Sequence, residues 1–304
     1  MNAEMTAALK PATAGGLLFV LLWSSGYLGA HYALLGFAPF TATVLRFAGS
    51  ALVIGLWVLV WKRPSVSRPD LWRAALAGLF LQAGFFGFIY AAMATGASAA
   101  AAGLIAGLMP VTTALGAALL IGEPLGRFTL PGAVIGLSGV GLVLAPMLGT
   151  PGTLLGLTLA VCALLSLSGG TLLQRRHPTR LEPRLALLVQ LLVALFVLLP
   201  FAALEGFAMQ PSWPSVLGVL WVTLVNSCCG LLLYLWLLRT GSAREVSGWF
   251  YLVPPITGVM AMVVLGDRFG LWQWAGFALA AAGVWLAQRN PQGAATETPR
   301  RESP

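Results

Sequence analysis

Two ionisable side chains stand where an apolar chain should carry none. His31 and Arg46 fall inside long runs of Leu, Val, Ala and Gly. All nine carboxylates (Glu4, Asp70, Glu123, Glu182, Glu205, Glu245, Asp267, Glu297 and Glu302) lie at the edges of such runs or beyond them. A charge stranded in hydrocarbon costs on the order of 3 kcal/mol on insertion scales, so an ionisable group there is a functional candidate by default. Arg46 can grip a carboxylate through its planar fork, or bond helix-end carbonyls and snorkel to the interface. His31 can carry a proton, or sit solvated near a helix end. An exchanger of organic cations needs a buried carboxylate, and no span offers one. A neutral, zwitterionic or anionic substrate fits better.

Gln82, Phe86 and Tyr90 follow one another at i, i+4 and i+8, which places them on one helical face. At an offset of 144 residues stand Asn226, Gly230 and Tyr234. Amide and phenol groups mirrored in this way suit a small amphipathic molecule near the bilayer midplane; they equally suit hydrogen bonds between helices. Trp23, Ser24, Tyr27, Trp249 and Tyr251 can line the same cavity. Aromatic residues also form the interfacial belt, and that is the better reading of Trp57, Trp61, Trp213, Trp272 and Trp274. Pro110 and the pair Pro254 and Pro255 interrupt apolar runs. Each removes a backbone hydrogen bond and frees the carbonyl four residues earlier. They are candidate hinges, or static kinks that membrane helices tolerate.

These residues need long apolar helices to position them. The chain of 304 residues is 59% hydrophobic and 9% charged, too few charges to keep a soluble surface of this size wet. A span needs about 20 mostly apolar residues. We expect ten, at roughly 15–35, 39–61, 71–94, 98–121, 127–148, 152–173, 184–204, 213–238, 244–265 and 270–288. The apolar run after Lys10 continues past Trp23, so it reads as an uncleaved first span and not a signal peptide. Residues 1–14 precede the spans, and the polar tail 289–304 reads as disordered. Cys162, Cys228 and Cys229 all fall within spans, which suits neither a disulfide framework nor a zinc site. No cofactor or metal is expected.

The net charge of +8 is not a nucleic-acid footprint, because the charges sit in short clusters between spans. With the N-terminus inside, 15 of the 17 Lys and Arg residues fall on cytoplasmic segments; Arg46 and Arg268 are the exceptions. That bias predicts an inner-membrane, multi-pass protein with both termini in the cytoplasm.

The chain also repeats itself. Gly96, Gly103, Pro110, Gly122-Glu123, Gly132 and Gly139 return as Gly241, Gly248, Pro255, Gly266-Asp267, Gly276 and Gly283. The halves are 15–148 and 152–288. Five spans per half means that the second enters the membrane from the opposite side, the arrangement that gives alternating access. The fold class is therefore an all-α integral membrane protein with ten helices in two inverted repeats. Close helix packing accounts for the small-residue pairs Gly103/Gly107, Gly132/Gly136 and Gly152/Gly156.

The doubled proline, Gly-Glu or Gly-Asp and spaced glycines, with Leu22-Trp23-Ser24-Ser25-Gly26-Tyr27 and Leu45-Arg46-Phe47, resemble the EamA-type branch of the drug/metabolite transporter superfamily. The resemblance runs from about Gly15 to Ala287, with Asp267 where a glutamate is usual. It implies a ten-helix fold that exports small metabolites, often amino acids or related compounds.

No ATP-binding loop is present, so the energy must come from a gradient or from the substrate itself. The expected function is export of a small, zwitterionic metabolite; the expected partners are that substrate and the lipid bilayer. Proton coupling rests on His31, and the oligomeric state is open. One alternative is an importer or exchanger of sugar-like or phosphorylated metabolites, against which the scarcity of buried basic residues argues. Another is a non-transport protein acting on lipid, for which no triad or metal-ligand cluster is visible.

Overall fold

Leucine-, valine- and alanine-rich runs of this length have no water to satisfy their backbone, so helix is the one local structure that closes every hydrogen bond within the segment. The computed structural model describes residues 2–60, 66–150, 152–230 and 249–289 with positions 233 and 237, and side chains from position 14 onward. The chain forms α1 (Asn2–Leu34, apolar from Ala14), α2 (Pro39–Val60), α3 (Arg68–Ala94), α4 (Ala99–Ile121) and α5 (Thr129–Met147). There follow α6 (Thr153–Arg176), α7 (Pro183–Leu204), α8 (Trp213–Gly230), α9 (Phe250–Leu265) and α10 (Leu271–Ala287). Eight of these are long and apolar enough to cross a bilayer; α9 and α10 are shorter apolar helices. Among the described residues there is no strand, only an isolated bridge between Phe37 and Met209. Tyr234, Gly241, Gly248 and the tail from position 290 lie outside the described residues.

Large apolar side chains such as Leu52, Leu119, Leu154, Phe196 and Val263 are exposed around the bundle. Large rings such as Phe19, Phe47, Tyr90 and Phe277 are buried too, but the closest helix contacts use small residues, with Ala99 to Ala102 and Gly103 buried in α4. Exposed large apolar groups and close backbone approach suit a lipid surround, where packing replaces the hydrophobic effect between helices.

The two halves pack on each other through corresponding helices. Glycines Gly132, Gly136 and Gly139 of α5 face Gly283, Ala280 and Gly276 of α10, so close that a Cβ at Gly132 would lie 2.5 Å from the Gly283 carbonyl. Contacts that rise in number along α5 fall along α10, so the pair is antiparallel. In the same sense Gly103 of α4 meets Thr257 of α9, and Gly107 meets Pro254. Both α4 and α9 end in a glycine in the left-handed region, Gly122 at φ 76° and Gly266 at φ 75°. A side chain would be strained there. The amides of Glu123 and Asp267 then turn back, each 3.3 Å from the carbonyls of Ala117 and Ala261 respectively.

The three candidate hinge prolines stand at segment starts, whereas Pro200 sits inside α7. Pro110 opens the second segment of α4 after a break at Gly107–Leu108, and Pro254 and Pro255 open the second segment of α9 after a tight turn at Phe250–Leu252. In the first turn of a helix the missing N–H costs little. Two further departures from α geometry stand at matching places: wide π-helical turns at Leu79–Gly84 in α3 and Trp221–Gly230 in α8. Such turns concentrate at functional sites.

At the end of the bundle bearing Phe37, the link between α1 and α2 is tied to the link between α7 and α8. The Ala38 amide donates to the Ala208 carbonyl and the Gln210 amide to the Gly36 carbonyl. The Glu205 carboxylate accepts from the amides of Phe40 and Thr41 and from the Thr41 hydroxyl, capping the start of α2. At the opposite end Asp70 accepts from Arg73 and from the Arg180 amide, and Arg175 pairs with Glu123 at 3.1 Å. All described carboxylates thus stand at helix ends.

Candidate functional site

Arg46 is the organising residue. It lies 3% exposed in α2, one helical turn from the buried hydroxyls of Thr43 and Ser50. Its Nε donates to the Ser227 hydroxyl at 3.0 Å and its Nη2 to the Asn226 Oδ1 at 2.9 Å. The guanidinium stacks 3.9 Å from the Phe86 ring centre, a contact that is stronger away from water. None of the three ion pairs among the described residues involves it. Hydrogen bonds satisfy part of the cation, but no negative charge among the described residues offsets it.

The acceptors come from the π-helical turn of α8. Asn226 splits its two functions: Oδ1 accepts a hydrogen bond from the guanidinium, while Nδ2 donates to the Leu22 carbonyl of α1 at 2.9 Å. This polarity fixes the amide's orientation, since only the oxygen can accept from Arg46. Gly26 makes the approach possible, because a Cβ there would lie 2.6 Å from Nδ2. The Ser25 hydroxyl also donates to the Leu22 carbonyl, at 2.7 Å, and accepts from the Trp221 indole at 3.0 Å. Arg46, Asn226 and Leu22 therefore join α2, α8 and α1.

A cavity opens beside Arg46, lined by Trp23, Gly26, Tyr27, Ala30, Phe85, Phe86, Ile89, Tyr90 and Asn226. Its free space of ≈ 20 Å³ holds about one water. The Tyr27 and Tyr90 hydroxyls are buried close to Trp23 and Arg46 respectively, and neither makes a hydrogen bond of ordinary geometry among the described residues. A buried donor without a partner is costly, and both belong to the cavity wall. Trp23 closes another side, edge-on to Phe250 at 5.3 Å and tilted against Phe19 at 5.7 Å.

The structure brings Trp23, Tyr27, Arg46, Phe86, Tyr90 and Asn226 to one cavity. It places the other candidates elsewhere. Ser24 is fully buried and donates to the Val253 carbonyl of α9 at 3.5 Å. Gln82 falls in the π-helical turn of α3, outside the lining. Trp249 packs against Gly16, and Tyr251 is half-buried against the main core. His31 stands at the Phe37 end of α1, with its ring 5.7 Å from that of Tyr32. The Tyr32 hydroxyl reaches the Val264 carbonyl at 3.4 Å. Pro254 lies against Gly107 at the crossing of α4 and α9, Pro255 follows it, and Pro110 stands just beyond Gly107 along α4. Sequence reasoning missed Ser227, Gly26, Ala30, Phe85 and Ile89. Only Gly26 left a signal, as part of the motif around Trp23. Among the described residues no three His, Cys, Asp or Glu side chains gather as metal ligands.

A second hollow, ≈ 380 Å³, lies on the other face of α1 between α8 and α9, lined by apolar groups with Ser25 and Tyr32 at its edges.

The comparisons with known proteins agree with this architecture. A curated relative, the uncharacterized transporter YvbV of Bacillus subtilis (strain 168), is 25% identical over 287 residues, covering 91% of this chain and 92% of its own. A solved crystal structure superposes with a TM-score of 0.65 at 23% identity, covering 91% of this chain and 96% of that one, which speaks for the fold alone. The model of the EamA-like transporter family matches twice, at residues 11–145 and 154–288. With two repeats that span nearly all of it, the chain belongs to the EamA-like transporter family.

Proposed function

We propose that this membrane transporter exports a small carboxylate-bearing metabolite, an amino acid or related zwitterion, across the inner membrane by alternating access. One observation carries the reading: Arg46 is buried beside a cavity with no carboxylate to pair it among the described residues. A buried cation without a counter-charge is expensive, and a substrate carboxylate on the guanidinium would remove that cost. The Tyr27 and Tyr90 hydroxyls, which make no hydrogen bond of ordinary geometry among the described residues, can hydrogen-bond the same ligand. The faces of Trp23 and Tyr27 suit its ammonium group.

Ten crossings in two inverted five-helix halves account for the antiparallel pairing of α5 with α10 and of α4 with α9. The charge bias puts both termini, and the Arg175 end, in the cytoplasm. Alternating access then follows from rocking one half on the other, with Pro110, Pro254 and Pro255 as hinges at the crossing of α4 and α9. His31, at the outer end of α1, is the candidate proton carrier.

The test is metabolite efflux from cells that overproduce the protein, against an Arg46→Ala variant at matched membrane abundance. Release of a class of amino acids by the intact protein alone supports both the export and the role of Arg46. Equal release by both would keep export and make Arg46 structural, and no release by either would remove the export reading.

A further inference from the structure

The edge of Arg46 that a carboxylate would use is already occupied. A carboxylate binds a guanidinium best side-on, with two oxygens accepting two parallel N–H groups. Here the Nε and Nη2 groups point at two protein oxygens from adjacent residues, Ser227 Oγ at 3.0 Å and Asn226 Oδ1 at 2.9 Å. The pair occupies the positions that the two oxygens of a carboxylate would take, but carries no charge. The cavity beside it has ≈ 20 Å³ of free space, so nothing of metabolite size fits while this arrangement holds.

We infer that Asn226 and Ser227 stand in for the substrate carboxylate on Arg46, allowing the unloaded carrier to close and reset. The inference rests on the proposed role of Arg46 as substrate anchor. A carrier that cannot close over an unpaired buried cation is confined to exchange, because only the loaded form can cross between its two states. A neutral surrogate relaxes that restriction. It gives the guanidinium two hydrogen bonds and lets the helices shut. It yields to an incoming carboxylate, whose charge makes the stronger pair. The second half of the Asn226 side chain links this arrangement to the fold, since its donation to the Leu22 carbonyl ties α1 to α8 while Oδ1 holds Arg46. The consequence is net flux without obligatory exchange.

Two measurements test this on the full-length protein in proteoliposomes. The first compares counterflow with net efflux into substrate-free buffer, using a ¹⁴C-labelled mixture of proteinogenic amino acids as probe. In the double variant Asn226→Ala/Ser227→Ala, net efflux should fall at least tenfold further than counterflow does. Equal loss in both modes, or no loss in either, overturns the inference.

The second measurement needs no substrate. Ala30→Cys, placed in the cavity wall of a chain whose Cys162, Cys228 and Cys229 are replaced by Ala, reports labelling by a membrane-impermeant maleimide. Labelling should rise at least fivefold in the double variant and fall below the parent in Asn226→Asp, whose carboxylate would hold Arg46 permanently. Unchanged labelling in both variants refutes the surrogate. If the double variant does not fold, the Asn226→Asp chain alone decides, by reduced labelling or its absence. If the parent shows no counterflow with this probe, the amino-acid reading fails, while the labelling still decides whether Asn226 and Ser227 hold the cavity shut.

Discussion

Replacing Gly139 by Ala adds one methyl group where two backbones already touch. The new Cβ would lie 2.5 Å from the Gly276 carbonyl oxygen and 3.0 Å from the Ala280 Cα. Ordinary van der Waals contact begins near 3.5 Å, and neither neighbour can rotate away, because both are backbone atoms of α10. The helices must separate by roughly 1 Å at the crossing, and overpacking of this kind costs about 1–3 kcal/mol. Gly141, on the same helix, provides the control, since a Cβ there meets nothing within 4 Å. Alanine at 141 should be neutral or gain up to about 1 kcal/mol from helix propensity. The propensity gain is common to both positions and cancels, so the two variants should differ by the overpacking cost, roughly 1–3 kcal/mol, read as a drop of several degrees in the thermal transition of Gly139→Ala by size-exclusion fluorescence in detergent. The reciprocal Gly283→Ala, whose Cβ would lie 2.6 Å from the Gly132 carbonyl, should behave alike. The double variant should lose less than the sum, because one separation relieves both clashes. If Gly139→Ala melts with Gly141→Ala, the close crossing of the two halves is wrong.

Three further changes probe the ends and the centre of the bundle. Glu205→Ala removes an acceptor from the Phe40 and Thr41 amides and should lower stability by about 1–2 kcal/mol, visible as a lower melting temperature that Glu205→Gln partly restores. Arg46→Lys keeps the charge but cannot span Ser227 and Asn226 with one fork, so efflux should fall toward the Arg46→Ala level. Retained efflux would show that charge alone suffices. In the loop after α9, burial pushes the Asp267 carboxyl up, and His31 pulls it down to a smaller degree. The folded chain then holds this proton more tightly than the unfolded one, so the group's contribution is fully present below the unfolded carboxylate value of about 3.9 and is lost as pH rises through the folded value. Asp267→Asn should flatten the weakly acidic part of the stability profile, and a melting curve with unchanged pH slope would count against burial as the cause.

Much of the architecture was readable because glycine and proline mark backbone geometry directly. Gly122 and Gly266 are where a helix must end left-handed, and Gly132, Gly139, Gly276 and Gly283 are where two backbones meet. Nothing in the sequence reported the π-helical turns. A period of 3.6 put Gln82 on the face of Phe86 and Tyr90, but the wide turn at Leu79–Gly84 shifts the phase between them and leaves Gln82 outside the cavity lining. Ser227 escaped for the same reason, since helical spacing assigns adjacent residues to different directions, yet both Asn226 and Ser227 reach Arg46 from such a turn.

The repeat carries one more step. At the offset of 144, Arg46 corresponds to Gln190, Asn226 to Gln82 and Ser227 to Ala83. The scaffolding of this second seat is kept: Gly26 packs on Asn226, and its counterpart Gly170 packs on Leu81 and Phe80. Its chemistry is not. Gln190 is buried against the Gly78 backbone and brings no charge, and Ala83 has no hydroxyl to offer. Duplication supplied two equivalent places, and divergence left the cation in one of them. An ion pair at one seat can be made or broken without a matching event at the other. Placing arginine at Gln190 should therefore not create a second site, because only one of the two acceptors that steady Arg46 has a counterpart: Gln82 stands for Asn226, but Ala83 brings no hydroxyl.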